Sequence, residues 1–217
     1  SAADVIALDM ALSARMLRIA NSPLYASRRR IENLSQALTM LGLNATLQLA
    51  LGFSLSRALR DDECHAQLLD AVWRRSVLSA LAARYLGEAC GVRRLEELML
   101  AGLLQDVGIL ALLQVRADIY PGLLGNCTDN LQLLAHERAV LDCNHAEVGA
   151  HLCEQWGLPR YLTEAIAHSE PPATPADAFE RCAALSGCIA DIWLAQDADA
   201  AREHALQQVH RELGMDS

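Results

Sequence analysis

The chain has 217 residues, 53% of them hydrophobic and 4% aromatic, with a formal net charge of −9. That length can bury a sizeable core as one large domain or two small ones, and the apolar content excludes a disordered chain. The acidic balance excludes a nucleic-acid backbone as the default partner, because such binding rests on basic surface.

Ala and Leu dominate, apolar residues recur at helical spacing almost throughout, and no period-2 run appears. The first predicted helix runs through Val5, Ile6, Leu8, Leu12, Met16, Leu17 and Ile19. It stops at Asn21-Ser22-Pro23, since proline excludes α geometry from the residue before it. A basic loop, Arg28-Arg29-Arg30, precedes a short helix through Leu34, Ala37, Leu38 and Leu41 that Gly42 ends. Asn44 is placed to cap a helix reaching about Leu59. After the acidic break Asp61-Asp62-Glu63, a long helix passes through Trp73, Leu78 and Leu86 and closes at Gly91. The next, about 94 to 114, sets an amide and a carboxylate, Gln105 and Asp106, among Leu103, Leu104, Val107, Ile109 and Leu110. Tyr120-Pro121-Gly122 reads as a turn, followed by a helix from about Asp129 to Leu141. Asn144 and Glu147 have capping-box spacing, opening a helix that ends at Gly157 before Pro159. A short helix leads to His168, residues 169–175 form a proline-rich connector, and helices over about 177–195 and 200–213 finish the chain. The reading is an all-α bundle of about ten helices, with an N-terminal lobe over 1–60 and a core over 61–217.

The seven cysteines, 64, 90, 127, 143, 153, 182 and 188, form no C-x-x-C pair and are odd in number. They point to reduced, packed thiols in a cytoplasmic protein rather than a disulfide or zinc framework. No run of about 18 apolar residues is free of charge, so no membrane span is expected. No signal peptide is visible, and the ends read as those of a piece of a longer protein.

Four groups could carry chemistry: Asp106, His145, His168 and Asp191. Imidazoles with carboxylates suit divalent metals, and such a set lowers the pKa of a bound water in phosphoester hydrolysis. Side chains from four helices can converge in a bundle core. Each also has a structural reading. Asp106 could cap a helix, His145 could be a first-turn polar residue, His168 could face a helix C-terminal dipole, and Asp191 could lie on the surface. Spacing alone does not separate the two readings.

Five ordered stretches carry a resemblance: LSARMLRIANSPLY (12–25), ENLSQALTMLGLNATLQLAL (32–51), AVWRRSVLSALAARYL (71–86), LMLAGLLQDVGILAL (98–112) and the run 136–172. Together they resemble HDOD domains, the HD-related output domains of bacterial signalling proteins. The wider HD superfamily contains metal-dependent phosphohydrolases, including cyclic di-GMP phosphodiesterases. Against its metal-ligand pattern, Arg75 stands where the first His is expected, and Gln105 where the His of the His-Asp pair is expected. Asp106 keeps the Asp, His145 and His168 keep His, Ser169 replaces the second of a frequent His-His pair, and Asp191 stands for the last Asp. The resemblance implies a former HD pocket with no catalytic residue, no cofactor and no metal; the weak metal candidates are Asp106, His145 and His168. Arg75 could pair with Asp106 or Asp191 instead.

The resemblance further implies a signal-transduction module working through protein contacts with signalling proteins or fused receiver, GGDEF or EAL-type domains. A residual phosphohydrolase or cyclic-nucleotide phosphodiesterase is one alternative. A small-ligand sensor, with Arg75 anchoring a nucleotide, is another. Arg28-Arg29-Arg30 reads as a solvated loop, and Trp73, Trp156 and Trp193 read as core. His136, Glu137, His204 and His210 have no evident partner set. No P-loop, Rossmann glycine pattern or nucleophile elbow is present.

Overall fold

The computed structural model describes residues 66–127, 129–169, 177–194 and 197–214, with residues 36, 37 and 39. The chain divides into two compact units, Ser1–Ala58 and Leu59–Ser217, and the second carries every feature discussed below. The expected helices before Leu59, the basic loop, the acidic break and the connector beyond Ser169 lie outside the described residues.

Every regular element among the described residues is an α-helix. Helix α1 (Ala66–Ala89) buries Leu69, Val72, Trp73, Ser76, Ala80, Ala83 and Leu86. Those positions recur every three or four residues, which places them on one face. The helix closes before Gly91, whose φ of 70° is the left-handed geometry that glycine adopts without cost.

The expected single helix over 94–114 is two, α2 (Leu95–Leu104) and α3 (Val107–Val115). Between them Asp106 leaves helical geometry, with φ −96° and ψ 10°. The cause is backbone contact on both sides. A Cβ on Gly102 would lie 2.7 Å from the Ser79 carbonyl oxygen of α1. One on Gly108 would overlap the His145 carbonyl oxygen. Each half is thus pressed against a different neighbour, and the break lets each follow its own. By length and composition Leu95–Val115 is apolar enough to cross a membrane, yet 89% of that window is buried inside the fold. Its apolarity is that of a core segment.

Tyr120-Pro121-Gly122, expected as a turn, opens a short helix, α4 (Tyr120–Gly125). Proline is tolerated in a first helical turn, where its missing N–H has no partner to lose. Helix α5 (Asn130–Leu141) is capped by Asp129, which accepts from the Gln132 N–H at 2.9 Å, and ends at Asp142 with φ 59°. Helix α6 (His145–Gln155) opens with the expected capping box: Asn144 accepts from the Glu147 N–H at 2.9 Å, and Glu147 accepts from the Asn144 N–H at 3.2 Å. Helix α7 (Arg160–Ala167) buries Leu162, Thr163, Ala165 and Ile166. Helix α8 (Ala178–Ile192) buries a stripe of small residues, Cys182, Ala183, Ser186, Gly187 and Ala190, and packs closely on α1. Helix α9 (Ala198–Leu213) packs on α8 and buries only Ala205 and Gln208.

The core cluster joins Leu69 and Val72 of α1 to Ile109, Leu110 and Leu113 of α3, with Tyr120 and Leu133. Of the three tryptophans read as core, Trp73 is buried and Trp156 half-buried. Trp193 is 64% exposed, because it is the C-cap of α8, one residue past the helix that carries the buried stripe.

Candidate functional site

Arg75 on α1 sits between two carboxylates. Its Nη1 donates to both Asp106 oxygens, each at 2.6 Å, its Nε donates to Asp191 Oδ1 at 2.7 Å, and its Nη2 reaches Asp191 Oδ2 at 3.3 Å. The pairing anticipated for the arginine is therefore present, with both partners at once. The break between α2 and α3 places Asp106 there, and the end of α8 places Asp191. The two acids differ in burial, with side-chain exposures of 1% for Asp106 and 34% for Asp191.

A glycine makes room for this cluster. A Cβ on Gly187 of α8 would lie 2.7 Å from Arg75 Nη2. Gly187 and Asp191 are four residues apart on one helix, so the gap and the carboxylate share a face. Burial disfavours the charged guanidinium, but the adjacent Asp106 and Asp191 charges and their hydrogen bonds outweigh it and raise the Arg75 pKa above its already high ordinary value. Arg75 is a permanent cation.

His145, the first residue of α6, is fully buried. Its Nδ1 lies 2.8 and 3.0 Å from the Glu137 carboxylate oxygens, and its backbone N–H donates to Glu137 Oε2 at 2.9 Å. The Tyr120 hydroxyl donates to Glu137 Oε1. Burial first, then the Glu137 carboxylate, push the Tyr120 phenol well above its ordinary pKa, so it stays a donor. A carboxylate accepts hydrogen bonds only, which assigns a proton to His145 Nδ1. His145 Nε2 is buried and has no hydrogen-bond partner among the described residues.

Sequence reasoning missed Tyr120, Glu137 and Gly187. Glu137 was left without a partner set because its partner lies in the next helix, eight residues on, beyond a capped turn. Its neighbour His136 faces elsewhere, 3.2 Å from Cys127 Sγ. His168 does not join the cluster: it is the exposed C-cap of α7. The adjacent Ser169 is buried and lines a cavity of about 20 Å³ beside Arg75, together with Gln105, Gly187, Cys188 and Gln208. Burial raises the Cys188 thiol pKa above the ordinary value. Among the described residues, no three His, Cys, Asp or Glu side chains group as a metal ion would need.

Solved structures repeat this fold. A response regulator, MmoQ of Methylococcus capsulatus str. Bath, is 32% identical, with 95% of this chain and 83% of that one covered at a TM-score of 0.55. An HDOD domain protein of unknown function from Geobacter sulfurreducens is 21% identical over 100% and 77% of the two chains, at 0.66. A Shewanella amazonensis SB2B protein provisionally named a phosphohydrolase is 22% identical over 98% and 76%, at 0.70. At these last two identities the likeness is one of fold. An uncharacterized Treponema pallidum (strain Nichols) protein is 26% identical over 182 residues, which are 79% of this chain and 34% of that protein. The chain thus spans about a third of that relative's length. The HDOD domain pattern itself matches residues 1–172, across both the Arg75–Asp106 pair and the Glu137–His145 pair. Matched over most of its length, and 32% identical across nearly all of it to a response regulator, the chain belongs to the HDOD family of signal-transduction domains.

Proposed function

We propose that this domain is a non-catalytic signalling module that relays an upstream state through protein contacts. The observation that carries the reading is the Arg75 guanidinium bonded to both Asp106 oxygens and to Asp191. In the HD arrangement those carboxylates would hold a divalent cation. Here a fixed positive charge takes both Asp106 oxygens, and like charges at that separation repel strongly in a poorly solvated site. Gln105 adds a neutral amide, a poor ligand for a transition metal. His145, with Glu137 behind it, is oriented as a metal-binding histidine commonly is, but His168 faces solvent and Arg75 holds the carboxylate the ion would share. The residues present do not fit the metal.

Partners of the signalling type suit the family and the response-regulator relative, and fused receiver, GGDEF or EAL-type modules suit a chain matching about a third of a longer relative. The proposal places the domain in the cytoplasm, on its odd set of seven cysteines without a C-x-x-C pair, and without nucleic acid, on its net charge of −9. A nucleotide-sensing pocket is disfavoured by size, since a 20 Å³ cavity is far below the roughly 300 Å³ at which small-molecule sites begin.

The test is hydrolysis of bis(p-nitrophenyl) phosphate and cyclic di-GMP with added Mn²⁺. Wild type and Asp106→Asn are expected to give the same background rate. Turnover in wild type that Asp106→Asn abolishes would refute the proposal.

A further inference from the structure

Two unpaired polar atoms belong to residues that line one hollow. Gln105 Nε2 and Ser169 Oγ are buried without a hydrogen-bond partner among the described residues, and their residues are only 4% and 8% exposed. Both residues line the same cavity beside Arg75. Buried polar groups are nearly always paired, with protein or with ordered water. Two unpaired groups on residues that line one cavity point to a shared occupant.

Size limits that occupant. The cavity, about 20 Å³, exceeds the roughly 10–15 Å³ that one water needs and leaves no room for a nucleotide. Charge limits it further. The Arg75 cation is already matched by two carboxylates, so an anion would meet surplus negative charge. A cation would meet the guanidinium and, as the amide is placed, its N–H groups. Two further polar groups of the lining are engaged, and Asn130 and His204 complete it. Gln208 Oε1 accepts from Arg211 Nη2 at 2.6 Å, and Arg75 Nη2 reaches Asp191 at 3.3 Å. The occupant is neutral and both donates and accepts. Water accepts from the Gln105 amide N–H and donates to Ser169 Oγ. If the amide is turned over, water donates to its oxygen instead and still satisfies both groups.

We propose that a single structural water occupies this cavity and bridges Gln105 to Ser169. The bridge ties the break between α2 and α3 to the end of α7, two segments that no direct side-chain hydrogen bond from Gln105 to Ser169 joins. Gln105 is then the anchor of a water, and the inference stands whether or not the domain has a signalling partner.

The experiment is a crystal structure of the wild-type chain at better than 2 Å, from crystals grown in sodium bromide. One density peak is expected within hydrogen-bond distance of both Gln105 and Ser169, without anomalous signal at the bromine edge. An anomalous peak there would show an anion and overturn the proposal. So would a side chain filling the cavity, or the absence of any peak. A second reading comes from thermal midpoints of Ser169→Ala, Gln105→Leu and the double variant. A shared water makes the double drop smaller than the sum of the single drops; additive drops would contradict the bridge.

Discussion

Arg75 joins three helical segments through one planar group. Its fork matches two carboxylates at once, a geometry that a point charge such as lysine lacks. Removing one member of a buried pair costs more than the pair contributes, because a charge is left without compensation. Arg75→Met strands Asp106, whose side chain is 1% exposed, and is expected to destabilise the domain by about 3 kcal/mol or more, with Arg75→Lys losing less. Urea unfolding of the three proteins checks this; a midpoint for Arg75→Met equal to wild type would show the cluster to be dispensable. The two acids and the arginine were legible in the sequence, because a cation beside two family-matched aspartates has an evident partner. Glu137 was not, since nothing local marks it as the partner of His145. Gly187 was not either, because a glycine in a small-residue stripe gives no sign that a guanidinium passes over it.

At the scale of elements, helix ends were the most readable feature and close crossings the least. The Asn144–Glu147 box was visible as a spacing, and Asn144→Ala is expected to cost about 1 kcal/mol in thermal or chemical unfolding. Glu147 also carries a pH dependence. Its hydrogen bond with Arg138, aided by the Asn144 N–H, holds its carboxyl below the ordinary 4.5. A depressed folded value means that the contribution is present above the ordinary value and fades as pH falls through the folded one. Glu147 is about half exposed, so the effect is small. Glu147→Gln should flatten the acid limb of the stability profile below pH 4.5 and leave its slope near neutrality unchanged; an unchanged acid limb would remove the cap from that account. The break at Gln105-Asp106 could not be read, because apolar spacing continues through it. It is set by the close approach of Gly108 to the His145 carbonyl. Gly108→Ala forces α3 and α6 apart and is expected to cost about 3 kcal/mol, read as a fall in urea midpoint. A neutral result would place the cause of the break elsewhere.

Across the whole molecule, the fold class followed from composition and helical spacing, and the family from five ordered stretches ending at residue 172. Convergence in space did not follow. Asp106 and Asp191 meet at Arg75 while His168 turns to solvent, and only packing decides which candidate faces inward. The account's central claim is that a guanidinium stands in place of a metal. The most direct measurement is elemental analysis of wild type purified without chelator, beside Asp106→Asn. The account predicts no near-stoichiometric manganese, iron or zinc in either protein. Near-stoichiometric metal in wild type that Asp106→Asn loses would contradict it.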